Sequence, residues 1–125
     1  MKYLLDTPVF IWWLNNSPDL SSPARKMISN PENSIFVSHA SYWEIATKVS
    51  VGHLVFPIAS IDAELERNGF ELLPIKTTHI IQAAGLPLLH QDSFDRMLIA
   101  QAQIENLNLI TVDQRIQKYE LSWVW

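Results

Sequence analysis

Short apolar runs alternate along this chain with longer stretches whose apolar residues recur at helical spacing, and polar turn residues close each run. Residues 2–6 (with Tyr3, Leu4 and Leu5), Ile35 to Ser38, Phe70 to Ile75 and Leu107 to Thr111 have the length and boundaries of buried strands. Leu121 to Trp125 can form a last edge strand. Between these runs the pattern predicts helices. Val9 to Leu14 is short and largely apolar and ends at Asn15-Asn-Ser-Pro18. A second helix opens with Ser22 as N-cap and Pro23 in its first position, with Ala24, Met27 and Ile28 as its apolar stripe. A third runs from about Ala40 to Val51 and stops at Gly52, and a fourth covers Ile58 to Asn68 before Gly69. Thr77 or Thr78 caps a fifth that reaches Ala84. Asp92 to Glu105 is a sixth, and its nearly continuous apolar interior (Met97 to Ala100, Ala102) predicts a central position. A short turn of helix fits Gln114 to Lys118. Strands alternating with helices imply an α/β fold, with a mostly parallel sheet covered on both faces.

Composition narrows the class. A chain of 125 residues is expected to form a single domain over residues 1–125. With 48% hydrophobic residues and only three glycines, disorder is not expected. The absence of cysteine excludes disulfides, thiolate metal sites and a cysteine nucleophile, and suits a reducing cytoplasm. No apolar run approaches the roughly 20 residues of a membrane span, and no basic segment followed by a long apolar one suggests a signal peptide. The net charge of −4 gives no general attraction for nucleic acid. A nucleic-acid enzyme of this charge needs cations, a local basic patch or a basic partner.

Four acids fall near the carboxyl ends of the predicted strands, where open α/β sheets bind ligands. Asp6 ends the first strand, Glu44 lies early in the helix after the second, Asp95 in the first turn of the central helix, and Asp113 two residues after the fourth strand. Each also has a purely structural reading. Asp6 and Asp113 fit helix caps, and Ser41-Tyr-Trp-Glu44 has the spacing of a capping box. Asp95 suits the helix dipole, behind Asp92 as N-cap. Together the acids would repel one another, a cost that a bound cation offsets. Oxygen ligands without cysteine favour Mg²⁺ or Mn²⁺ over zinc. His39, His53, His79 and His90 show no ligand spacing and are expected to be surface or capping residues. Trp12, Trp13, Trp43 and Phe94 are expected to pack in the core or at an interface, any exposed part of Trp123-Val-Trp125 to mark a partner surface, and Lys48 either to pair with Glu44 one turn away or to contact a phosphate.

Leu5-Asp6-Thr7, Trp43-Glu44-Ile45-Ala46-x-Lys48, Asp92-x-Phe94-Asp95-Arg96-x-Leu98-Ile99-Ala100-Gln101-Ala102 and Ile110-Thr111-x-Asp113 together resemble the PIN-domain ribonucleases, in particular the VapC-type toxins of toxin–antitoxin pairs. The resemblance spans nearly the whole chain. It implies a three-layer α/β/α sandwich and a Mg²⁺- or Mn²⁺-dependent endoribonuclease leaving 5′-phosphate and 3′-hydroxyl ends. It further implies a cytoplasmic homodimer neutralised by a cognate antitoxin protein. The family's acidic site falls on Asp6, Glu44, Asp95 and Asp113, with Asp6 and Asp95 as direct ligands. Glu44 is then a ligand or the base that orients water, and Asp113 an outer or second-metal ligand. The chain departs from the pattern at Pro8, where many relatives carry histidine, and at Ser93, where proline is commoner. A different reading is a PIN-like module without turnover that binds RNA or protein. Receiver-like and haloacid-dehalogenase-like readings fail, because the early acidic pair and the Asp-x-Asp motif are absent.

Overall fold

A computed structural model describes residues 1–125. Five strands form one all-parallel sheet: β1 (Lys2–Leu5), β2 (Ser34–Ser38), β3 (Glu71–Leu73), β4 (Asn108–Ile110) and β5 (Trp123–Val124), in the order β3-β2-β1-β4-β5. β1 is central, with Leu4 opposite Phe36 on one side and Leu109 on the other. Seven helices cover the sheet: α1 (Thr7–Leu14), α2 (Ser22–Ser29), α3 (His39–Ser50), α4 (Ile61–Asn68), α5 (Thr77–Ala84), α6 (Ser93–Glu105) and α7 (Gln114–Gln117).

The two-residue period of a strand divides the core into two layers. Tyr3, Leu5, Ile35, Val37 and Ile110 face Val9 and Phe10 of α1, Ala24 and Ile28 of α2 and Leu65 of α4. Leu4 and Leu109 face the other way, toward Leu98, Ile99 and Ala102 of α6, Ile116 of α7 and Ala40 of α3. The result is the expected three-layer α/β/α sandwich. Leu98, Ile99 and Ala100 are fully buried, as the apolar interior of α6 requires.

Several boundaries differ from the sequence reading. Ser21, not Ser22, caps α2, its hydroxyl accepting from the Ala24 N–H at 3.1 Å; this is the usual reach of a cap to the third helical residue. Ser38 caps α3, accepting from Ala40 N–H, so Ser41 lies inside the helix and the capping box with Glu44 does not form. Lys76 occupies the cap position of α5, ahead of both threonines, and the ring Nδ1 of His79 accepts its backbone N–H at 3.0 Å. Residues 58–60 form a 3₁₀ turn before α4 begins at Ile61. β3 is shorter than its apolar run, with Pro74 following it directly. Gly69 (φ 68°) and Asn106 (φ 54°) adopt the left-handed conformation that ends α4 and α6.

Candidate active site

The parallel register of β2, β1 and β4 brings their carboxyl ends side by side, and the acids gather there. Asp6 follows β1 and is almost wholly buried. It caps α1 and at the same time lies among the other acids. Its Oδ1 accepts from the Thr7 N–H at 2.9 Å and its Oδ2 from the Thr111 hydroxyl at 2.7 Å. Thr7 does not bond an acid through its side chain; its hydroxyl donates to Ser41 Oγ at 2.8 Å, joining α1 to α3.

Glu44 is buried on α3. Lys48 Nζ donates to its Oε2 at 2.7 Å, the pair that the one-turn spacing predicts. Its Oε1 is buried with no hydrogen-bond partner. Asp95 lies in the first turn of α6, where Asp92 Oδ1 accepts its backbone N–H. The loop before α6 carries Asp95 to the same rim. Asp113 caps α7 and is held by Arg115, whose Nε and Nη2 donate to its two oxygens at 3.1 and 2.9 Å.

The structure couples three of the four acids closely. Burial, then the Asp95 charge and more weakly Glu44, push the Asp6 carboxyl up to about 7, against the hydrogen bonds from Thr111 and Thr7. Burial raises Asp95 to about 6, with Asp92 and Glu44 adding repulsion and the His90 hydrogen bond opposing it. Asp113 goes the other way, because the Arg115 guanidinium beside it holds its carboxyl below the usual range. Asp113 meets the pocket from another side: ligand atoms of His90, Asp95 and Asp113 lie within 4.8 Å of one another.

This donor set suits a hard divalent cation. Carboxylates raised by burial and mutual repulsion, together with an unsatisfied buried oxygen on Glu44, form an arrangement that a positive charge would relieve. A cleft of about 300 Å³ opens beside Glu44, lined in part by Thr7, Pro8, Trp12, Lys48 and His53. Pro8 is in the second position of α1, beside this cleft.

The sequence reading missed His90. It is neither a surface nor a capping residue: it is buried, and its Nε2 lies 2.7 Å from Asp95 Oδ2. The available signal was its place two residues ahead of the Asp92 cap, within reach of the first turn of α6. Arg96 lies next to Asp95 in the first turn of α6. Its guanidinium donates to the carbonyls of Ala83, Leu86, Pro87 and His90, and so works as a clamp on the loop.

The family model described as PIN domain matches residues 3–121. No curated protein sequence matches the chain. Among solved structures, VapBC2 from Rickettsia felis bound to a DNA fragment from their promoter is similar at a TM-score of 0.73 and 20% identity, covering 99% of this chain and 98% of that one. FitAcB from Neisseria gonorrhoeae is similar at 0.70 and 18%, covering 100% and 97%. VapBC-1 from nontypeable Haemophilus influenzae is similar at 0.67 and 23%, covering 99% and 97%.

Proposed function

The chain belongs to the PIN domain family, and from that premise we propose that it is a divalent-cation-dependent endoribonuclease acting as the toxin of a toxin–antitoxin pair. The observation that carries the reading is the buried acidic pocket of Asp6, Glu44 and Asp95, with one Glu44 oxygen left without a partner. Asp6, Glu44 and Asp95 would hold Mg²⁺ or Mn²⁺, with Asp113 as an outer contributor. When bound, the cation supplies Lewis-acid chemistry that acidifies water and offsets charge on a phosphate.

The protein's own groups do the rest. Thr111 and the Thr7 N–H hold both oxygens of Asp6 and fix its orientation. Lys48 pairs with Glu44 and is half exposed, which supports a role in meeting a phosphate of an entering RNA strand. The cleft along Trp12, Lys48 and His53 offers apolar and basic groups to the adjoining nucleotide. The Lys48 ammonium is one local positive charge beside the acids in a chain whose net charge is −4.

A protein antitoxin and a second copy of the chain are the proposed partners, in the cytoplasm. No helix is long and apolar enough to cross a membrane. The exposed apolar surface around Tyr42, Trp43, Ala46 and Ile75 supports a protein–protein contact. The similar structures include toxin–antitoxin assemblies, which points to an antitoxin here as well. The decisive experiment is cleavage of RNA in Mg²⁺ or Mn²⁺ by the wild type, Asp6→Asn and Asp95→Asn. The two variants should fold and lose cleavage, and EDTA should silence the wild type. Wild-type rates in either variant, or full activity in EDTA, would sink the proposal.

A further inference from the structure

The loop from Leu86 to Gln91 has no regular secondary structure, yet it is fixed from α6 and from the segment after α7. Arg96 of α6 donates to the carbonyls of Leu86, Pro87 and His90. Tyr119, just beyond α7, accepts the N–H of Leu89 at 3.2 Å and of His90 at 2.9 Å, and donates its own hydrogen to Pro87 O at 2.7 Å. The side chain this scaffold delivers to the acids is the imidazole of His90, which is 7% exposed and 2.7 Å from Asp95.

We propose that His90 is a positioning residue: its Nε2–H holds Asp95 Oδ2 so that Oδ1 is presented to the cation. An ionised carboxylate carries no hydrogen, so the imidazole must be the donor. In that state Nε2 is not a metal ligand, although its distance from Asp95 and Asp113 would allow it to share an ion with them. Outer hydrogen bonds of this kind set the orientation of a metal-binding group, and their loss commonly weakens affinity about 10- to 100-fold. The inference rests on the proposed cation site.

The test is calorimetric titration of the full chain with Mn²⁺, without RNA, for the wild type, His90→Ala, His90→Leu and His90→Gln. Leucine fills the space without a donor, and the glutamine amide restores one. Alanine and leucine should each weaken Mn²⁺ binding about 10- to 100-fold, and glutamine should recover most of that loss. Unchanged affinity in either of the first two, or glutamine no better than leucine, overturns the inference. Imidazole ¹⁵N spectra of the wild type decide it without any variant. The Nε2 of His90 should keep its proton when Mg²⁺ is added; its loss on Mg²⁺ addition would make His90 a ligand and overturn the positioning role. If the wild type itself binds no Mn²⁺, the cation-site reading fails; if it binds and the variants match it, only the role of His90 fails.

Discussion

Thr111 donates its hydroxyl hydrogen to Asp6 Oδ2 at 2.7 Å, joining the residue after β4 to the residue after β1 across the floor of the acidic pocket. Both residues are buried, so this hydrogen bond works in a medium where it counts more than in water. It also opposes the upward push on the Asp6 carboxyl. Thr111→Val keeps the shape, removes the donor to Asp6 and also leaves the Asp113 N–H, which the hydroxyl accepts at 3.0 Å, without its partner, a loss common to every pH. The variant should lose about 1–2 kcal/mol of stability at pH 8, where Asp6 is ionised, and less at pH 5. Its cleavage–pH profile should move to higher pH, because Asp6 holds its proton longer. Urea denaturation at the two pH values and a pH–rate profile check both effects, and a uniform loss at both pH values would count against them.

The raised carboxyls make the metal-free protein depend on pH in a defined direction. Below about pH 4 Asp6 and Asp95 are protonated in both the folded and the unfolded chain, and no stability is lost to them. Between there and about pH 7 the folded state still holds protons that the unfolded state has released. Stability therefore falls as pH rises through this window and levels off above it. In EDTA, Asp6→Asn should flatten much of that fall and be more stable than the wild type at pH 8, by at most a few kcal/mol. Denaturant midpoints at pH 5, 6.5 and 8 measure it; parallel curves for the two proteins would refute it.

A cation that binds only the folded state should reverse the fall. At a concentration 100 times its dissociation constant, Mg²⁺ or Mn²⁺ should add about 2.7 kcal/mol. For a domain of this size that raises the melting temperature by roughly 5–15 °C. The gain should be larger at pH 8 than at pH 5.5, because protons compete for Asp6 and Asp95. Asp95→Asn should show little or none of it. Thermal melts with and without the ion decide the point.

Arg96 gives a prediction about stability. Arg96→Ala removes the guanidinium shared by the carbonyls of Ala83, Leu86, Pro87 and His90, of which Pro87 keeps the Tyr119 hydroxyl as donor, and should cost about 2–4 kcal/mol. Arg96→Lys should recover little, since an ammonium cannot reach the same spread of acceptors as the planar guanidinium. Urea midpoints for the two variants should lie close together and well below the wild type.

The strand ends were legible because a buried parallel strand must be a short apolar run, and the polar residue that closes it stands at the rim. Asp6 after Leu5 and the Thr111–Asp113 segment after Ile110 follow from that rule alone. The apolar interior of α6 likewise announced its central place. What sequence spacing did not convey were choices between chemically equivalent neighbours. Ser21 and Ser22 cap equally well in isolation, and Ser38 was passed over because Ser41 had a glutamate at the right spacing. The choice at α3 is made in three dimensions, where Ser41 is bonded to Thr7 of α1. His90 escaped for another reason. It lies in a loop without periodicity, and its burial depends on Arg96 of α6 and Tyr119 after α7 reaching it.

Asp113 separates cap from site. Its Oδ1 accepts the Arg115 N–H at 2.9 Å, and asparagine caps a helix about as well as aspartate. Asp113→Asn should therefore leave the melting temperature nearly unchanged. Its carboxylate is already engaged by Arg115, unlike those of Asp6 and Asp95, so neutralising it should slow cleavage by about 10- to 100-fold rather than abolish it. Arg115→Ala frees the carboxylate and removes the cation that lowers its pKa. That variant should bind Mn²⁺ at least as tightly as the wild type at pH 8. Cleavage rates for the two variants beside Asp6→Asn, with Mn²⁺ titrations of each, test the assignment. Complete loss of cleavage in Asp113→Asn with an intact fold would place Asp113 on the same footing as Asp6.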